Sequence, residues 1–343
     1  MHKIGYYVNN HGTGHTNRLF CFVEELEAMN YDYQLFVFAE NIPKILGTGI
    51  LNNNKPGSNP KIQIIPLTKP DWKLNKTSKA FHSLPKNYKE YFKPIVTCCI
   101  EHSIETFVSD LSVEVGMAVR LHVDKLVYIL LHGNRIDDPH QTMFYEADTL
   151  LVPFSEVLED NYFEVFKQDF NLAYSGGFLK FQYQDQKNFY PAEFNKDKKN
   201  VLIILGTGGD SFNENYIDVN TNIYNVVILG KQSNKVKSIK FTNPYNYIRC
   251  ADIVVANAGD SIMHEVSYFN RPYICIPEER PFKEQLIKAE TLEREELAYI
   301  SSWSSSLNKD ILYVEKYPQK DKSVLIQTDK AKLYTNEIIN CRR

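Results

Sequence analysis

Long apolar runs are missing from this 343-residue sequence. None approaches the ~20 residues needed to cross a bilayer, and no signal-peptide pattern precedes the strand-like run that starts at Lys3. The expectation is a soluble, or at most peripheral, cytoplasmic protein. An excess of positive charge is also missing: 39 Lys and Arg face 42 Asp and Glu, for a net charge of −3. That argues against a general nucleic-acid binder, which would normally be basic. The six cysteines (Cys21, Cys98, Cys99, Cys250, Cys275, Cys341) lack metal-ligand spacing. Most sit in apolar surroundings, as reduced thiols in a cytosolic core do. No short-period repeat occurs, and Asp-x-Asp is found nowhere.

What is present reads as alternating strands and helices. A hydrophobic content of 43% is ordinary for a globular chain, and the length suits two domains. Short β-rich runs at 3–8, 33–39, 62–66, 106–109, 126–131 and 149–153 alternate with helical patterns at about 15–29 and 86–104. Strand-like runs then recur at 200–205, 224–229, 238–241, 252–256 and 273–276. Each series opens with a strand and a Gly-rich turn, the arrangement of two doubly wound domains facing one another. The boundaries expected are an N-terminal domain over 1–180, a linker over 181–199 and a C-terminal domain over 200–320. The tail, 321–343, is expected to form a helix packing back on the first domain.

The most informative stretch is Asn257-Ala258-Gly259-Asp260-Ser261-Ile262-Met263-His264-Glu265-Val266. It lies between the strand 252–256 and a helix. A short polar turn there offers free backbone N–H groups at the positive end of the helix dipole, which suits a diphosphate. One helical turn on, Glu265 presents two acceptor oxygens to a ribose. After the next strand, Phe282-x-Glu284-Gln285 enters the same crevice. The earlier turn Gly206-Thr207-Gly208-Gly209, after the first strand of the second domain, reads either as an ordinary tight turn or as part of the same phosphate cleft.

Residues 241–300 resemble the donor-binding domain of the GT-B glycosyltransferases, near the MurG (peptidoglycan N-acetylglucosaminyltransferase) family, glycosyltransferase family 28. At the N-terminus, Asn10-His11-Gly12-Thr13-Gly14-His15-Thr16-Asn17-Arg18 is similar to that family's Gly-rich first loop. The resemblance implies an α/β protein of GT-B fold: two facing doubly wound Rossmann-like domains with an interdomain cleft. It implies an inverting hexosyltransferase that moves a sugar, N-acetylglucosamine or a relative, from a UDP-sugar to a hydroxyl acceptor. A polyprenyl-linked glycan at the inner face of the cell membrane, in bacterial envelope or surface polysaccharide synthesis, is the setting it suggests. Glu265 would take the ribose, Gly259, Asp260 and Ser261 the diphosphate, Glu284 and Gln285 the sugar hydroxyls, and the Thr242 backbone the base. Gly14, Asn257, Ala258 and His264 complete the donor side. Asp260 and His264 stand where small or hydroxyl residues are common in the family.

A hydroxyl attacking an anomeric carbon needs a base with a pKa near working pH, which histidine offers. His15 is the first candidate and Asp110, in an expected strand-to-helix loop, the second. His11, Asn134 and Arg135 are placed on the acceptor side. His11 and His15 have no third ligand at credible spacing. With Asp-x-Asp absent, the expectation is metal-independent chemistry without a cofactor, N–H groups and helix dipoles serving the diphosphate. Two rivals use the same scaffold: a nucleotide-sugar hydrolase and a non-catalytic sugar-nucleotide-binding subunit. The nucleotide-sugar 2-epimerases share the fold, but no convincing match to their motifs is found. Residues 68–94 interleave lysines with aromatics, among them Trp72, Lys73, Lys76, Lys79 and Phe81. They read either as a solvated loop and amphipathic helix or as a surface for anionic lipid and its acceptor.

Overall fold

The computed structural model describes residues 1–10, 14–43, 61–74, 78–159, 170–179, 186–206, 212–240, 242–326 and 330–340. The first half contains β1 (His2–Tyr7), α1 (Gly14–Ala28), β2 (Tyr33–Ala39), β3 (Ile62–Pro66), β4 (Trp72–Leu74) and β5 (Ser83–Pro85). It continues with α2 (Tyr88–His102), β6 (Thr106–Asp110), α3 (Val113–Val119), β7 (Lys125–Ile129), α4 (Asp138–Glu146), β8 (Thr149–Val152) and β9 (Leu172–Tyr174). The second half contains β10 (Lys199–Ile204), β11 (Tyr224–Gly230), β12 (Lys237–Lys240), α5 (Tyr245–Cys250), β13 (Ile253–Ala256), α6 (Asp260–Tyr268) and β14 (Tyr273–Cys275). It ends with α7 (Glu284–Arg294), β15 (Tyr299–Ile300), α8 (Leu307–Lys316) and α9 (Lys330–Ile339).

Two parallel sheets result, with strand orders β3-β2-β1-β6-β7-β8-β9 and β12-β11-β10-β13-β14-β15. Both are doubly wound, as expected from the sequence. The central strands read as continuous apolar runs because both faces are covered. On one side of the first sheet, Ile4 and Tyr6 of β1 meet Leu19, Phe22, Val23 and Leu26 of α1. On the other, Phe36, Phe38 and Phe107 join Tyr91 and Ile95 of α2. The final helix α9 lies against α1: Tyr334 is buried, shares a 2.7 Å hydrogen bond with the Tyr6 hydroxyl and meets Phe22 edge-on.

Three features differ from the sequence reading. Residues 72–85 contribute an antiparallel pair, with Trp72 opposite Pro85, where a loop was expected. Two short edge strands, β9 and β15, were not anticipated, since two or three residues carry no periodicity. Asp110 is the last residue of β6, fully buried, and the turn begins after it at Leu111, whose φ is 61°.

Candidate active site

In each sheet the chain winds outward in both directions from a reversal of strand order. The reversals lie between β1 and β6, and between β10 and β13. Ligands of doubly wound sheets bind outside the carboxyl ends of the strands at such points. The first reversal brings α1 beside the end of β6. Asp110 Oδ2 lies 2.8 Å from His15 Nδ1, and Arg18 Nη2 donates to Asp110 Oδ1 at 2.9 Å. All three side chains are buried. Burial pushes the Asp110 carboxyl up, but Arg18 and then His15 outweigh it and hold the group below the usual carboxylate range.

Arg18 Nη2 also stands 2.8 Å from His15 Nδ1. Nδ1 therefore has a donor and an acceptor at equal distance, and one contact must be unfavourable in either neutral tautomer. With the proton on Nδ1 the ring donates to Asp110 and Nε2 is left as a base. With the proton on Nε2 the ring becomes a donor at that atom.

The second reversal places Gly206 beside Asn257: a Cβ built on Gly206 would come within 3.5 Å of Asn257 Nδ2. Asn257 Oδ1 accepts from the Gly259 N–H at 3.0 Å, closing the turn locally. Ala258 is buried beneath it. Gly259 is the N-cap of α6 and brings no side chain to the first N–H groups of that helix. Glu265 sits half-buried one turn on, while His264 is on the buried face against Gly177, where an added Cβ would meet its ring at 2.2 Å. Burial keeps the His264 imidazole neutral, lowered to about 4. Thr242 is exposed beyond the end of β12.

The two crevices face one another. Asn17 Nδ2 donates to Ser261 Oγ at 3.4 Å, and a Cβ built on Gly14 would lie 3.8 Å from the same oxygen. Arg18 Nη1 is 3.7 Å from Asp260 Oδ2, and the fully buried Lys288 donates to Asp260 Oδ1. Burial pushes the Asp260 carboxyl up, but Lys288 and Arg18 prevail and hold it well below the usual range. Asp260 thus points into an ion-pair network at the start of α6.

A second bridge closes the cleft further out. Asn134 donates its backbone N–H to Phe282 O at 2.7 Å, and Gly133, with φ of 127°, lets the chains approach. The Arg135 guanidinium stacks on Phe282 at 4.7 Å and reaches Glu284 Oε2 at 3.4 Å. Glu284 is also 3.9 Å from Lys288, and Gln285 Oε1 accepts from the Glu278 N–H at 2.9 Å. Of the expected sugar-gripping pair, Glu284 is therefore ion-paired and Gln285 ties down the preceding turn.

His11, Thr207, Gly208, Gly209 and Lys76 lie outside the described residues, as does the side chain of Lys73. Trp72 is 43% exposed and meets Tyr91 edge-on, Lys79 is exposed 3.9 Å from Asp138, and Phe81 is half-buried. Arg18 and Lys288 were not expected in the site. Arg18 carried a local signal, one turn after His15, whereas nothing in the sequence singled out Lys288. A third group also escaped notice. His82, Asp137 and His140 converge beside Phe282, with Glu114 behind His82.

Comparison with known proteins now bears on the second half. Residues 178–336 match the glycosyltransferase family 28 C-terminal domain. That match covers a little under half of the chain. Its overall fold is shared with solved structures over nearly the whole length. Acinetobacter baumannii MurG is 12% identical, with 98% of this chain and 99% of that one covered and a TM-score of 0.59. Arabidopsis thaliana UGT89C1, complexed with UDP, is 10% identical, with 98% of each chain covered and a TM-score of 0.65. A putative UDP-N-acetylglucosamine 2-epimerase from Listeria monocytogenes is 10% identical, with 97% and 90% covered and a TM-score of 0.61. No curated protein matches by sequence. This match and these likenesses make the fold GT-B, two Rossmann-like domains of which the second carries the family 28 match. Among the described residues no helix is long and apolar enough to cross a membrane.

Proposed function

We propose that this protein is an inverting glycosyltransferase that moves a hexose from a UDP-sugar to an acceptor hydroxyl held on the first-domain side of the cleft. The observation that carries the reading is the meeting of the two crevices. A buried His15–Asp110–Arg18 group faces the uncapped start of α6, where Asp260 and Lys288 lie.

In this reading the diphosphate sits at the start of α6, against its N–H groups and near Arg18 and Lys288. Glu265 takes the ribose hydroxyls. His15, its Nδ1–H donating to Asp110, accepts the acceptor proton on Nε2. Asp110, held ionised and bonded to two partners, orients the imidazole rather than acting as the base. The acceptor oxygen forms its bond to the anomeric carbon as the bond to the diphosphate oxygen breaks, and UDP leaves with the electron pair. A single displacement inverts the anomeric centre. The closed bridge from Asn134 and Arg135 to Phe282 and Glu284 would keep water from the reacting carbon.

The exposed Trp72 and Lys79 support residues 68–94 as the face that meets an anionic membrane and a lipid-linked acceptor, in envelope or surface polysaccharide synthesis. The domain limits 1–180 and 200–320, with 181–199 as linker, belong to the same reading. The donor assignment is tested with Glu265→Ala. It should raise the donor KM strongly with the fold intact, and an unchanged KM would remove Glu265 from the ribose site.

A further inference from the structure

We propose that His82, Asp137 and His140 form a divalent-metal site of the zinc type, on the first-domain side of the cleft. Their ligand atoms form a compact triangle. His82 Nε2 lies 2.8 Å from Asp137 Oδ1 and 3.0 Å from His140 Nδ1, and His140 Nδ1 lies 3.0 Å from Asp137 Oδ1. Zinc–ligand bonds of about 2.0–2.1 Å in tetrahedral geometry give ligand–ligand edges of about 3.3 Å. The triangle is a few tenths of an ångström short of one face of such a site.

Hydrogen bonding alone cannot make all three contacts favourable. If both imidazoles donate to the carboxylate, His82 to Oδ1 and His140 to Oδ2 at 2.8 Å each, their two N–H groups are crowded side by side with the nitrogens only 3.0 Å apart. If one imidazole donates to the other, the acceptor nitrogen faces the carboxylate lone pair to lone pair. A cation among the three makes each contact a ligand edge. Helix capping accounts for part of the cluster, since Asp137 Oδ1 accepts from the His140 N–H at 3.2 Å at the start of α4. It does not account for His82, which arrives from the strand pair β4–β5.

The surroundings fit a built site. Glu114 Oε1 lies 3.4 Å from His82 Nδ1 and accepts from the His82 and Ser83 N–H groups at 2.9 and 3.2 Å. That carboxylate–histidine relay aims Nε2 at the cluster, as outer partners of metal-binding histidines do. Phe282 closes one side, its ring 4.9 Å from His140 and 5.9 Å from His82. Metal on His140 Nδ1 would leave the proton on Nε2, facing Arg135 Nη1 at 3.3 Å. Arg135 would then shift toward Glu284, so the site would tune the bridge that closes the cleft. Two imidazoles and one carboxylate select a borderline cation such as Zn2+.

The site stands independently of the proposed transfer reaction, so its test is binding. Chelator-treated full-length protein is titrated with Zn2+ by calorimetry and with Co2+ by visible absorption. One equivalent should bind. His82→Ala and His140→Ala should each weaken binding by at least about 100-fold, and Glu114→Gln by about 10–100-fold. Asp137→Asn keeps a good helix cap while removing the charged ligand, so its loss of binding would not reflect misfolding. His15→Ala should bind as the parent does. Absence of a saturable one-equivalent isotherm in the parent protein would overturn the proposal. So would unchanged affinity in the His82, Asp137 and His140 variants.

Discussion

Replacing Asp260 with asparagine separates two accounts of the start of α6. Its carboxylate is 14% exposed, lies 3.7 Å from Arg18 and pairs with the fully buried Lys288. In the proposed complex a diphosphate approaches to about 5 Å. With an effective dielectric of about 20, carboxylate and phosphate then repel by about 3 kcal/mol per unit of phosphate charge. Asparagine keeps the size of the side chain and removes that charge, leaving both cations for the diphosphate. If about half of the repulsion is lost to screening and reorganisation, UDP should bind about 10-fold more tightly. The unliganded protein should lose stability, because removing one member of a buried pair costs about 3–5 kcal/mol. Glu284, 3.9 Å from Lys288, moderates that cost. Calorimetric titration with UDP and thermal unfolding with and without UDP measure both effects. Weaker UDP binding by Asp260→Asn would refute the reasoning, because Asp260 would then be positioning Lys288 for the donor rather than competing with it.

Other substitutions test separate parts. His15→Ala should lower turnover by about 10²–10⁴, and Asp110→Asn should also lower it with little change in donor KM; a near-normal rate in His15→Ala would take the base role from His15. Gly133→Ala places a Cβ about 3.1 Å from Phe282 O at a φ of 127°. It should cost about 1–3 kcal/mol in thermal or urea unfolding, and no change would mean that the bridge contributes little. Stability should also fall as pH drops below about 6.5, the ordinary imidazole value. Burial, aided by Lys288, lowers His132 to about 3, and burial lowers His264 to about 4. Between those limits the unfolded chain binds more protons than the folded one. Each histidine therefore removes about 1.4 kcal/mol per pH unit. His132→Gln, which keeps a donor for Leu158 O, should flatten the pH dependence of the unfolding free energy measured in urea by one proton; an unchanged pH dependence would contradict this.

The strands of both sheets were legible because helices cover both faces, which leaves runs such as 201–204 and 253–256 wholly apolar. Strands of two or three residues at the edges were not. The turn from Asn257 to Ser261 and the His15 end of α1 carried local signals, and the structure brings them within contact of each other. Lys288 did not, because its burial depends on Asp260, 28 residues earlier. His82 joins Asp137 and His140 only through the tertiary fold, with 55 residues separating His82 from Asp137. Only the i,i+3 spacing of Asp137 and His140 was visible in sequence. Asp110 was expected in a loop and lies in a strand, since a strand's last residue and a loop's first look alike in sequence.

The central claim is transfer of a sugar from a UDP-sugar to a hydroxyl acceptor. The most direct measurement is UDP release from a panel of nucleotide sugars, with and without lipid extract from the source organism. Release from a UDP-sugar that depends on the extract, with the sugar recovered in the lipid fraction, is the result predicted. Sustained turnover in buffer alone, yielding free sugar, would contradict it and make the protein a hydrolase.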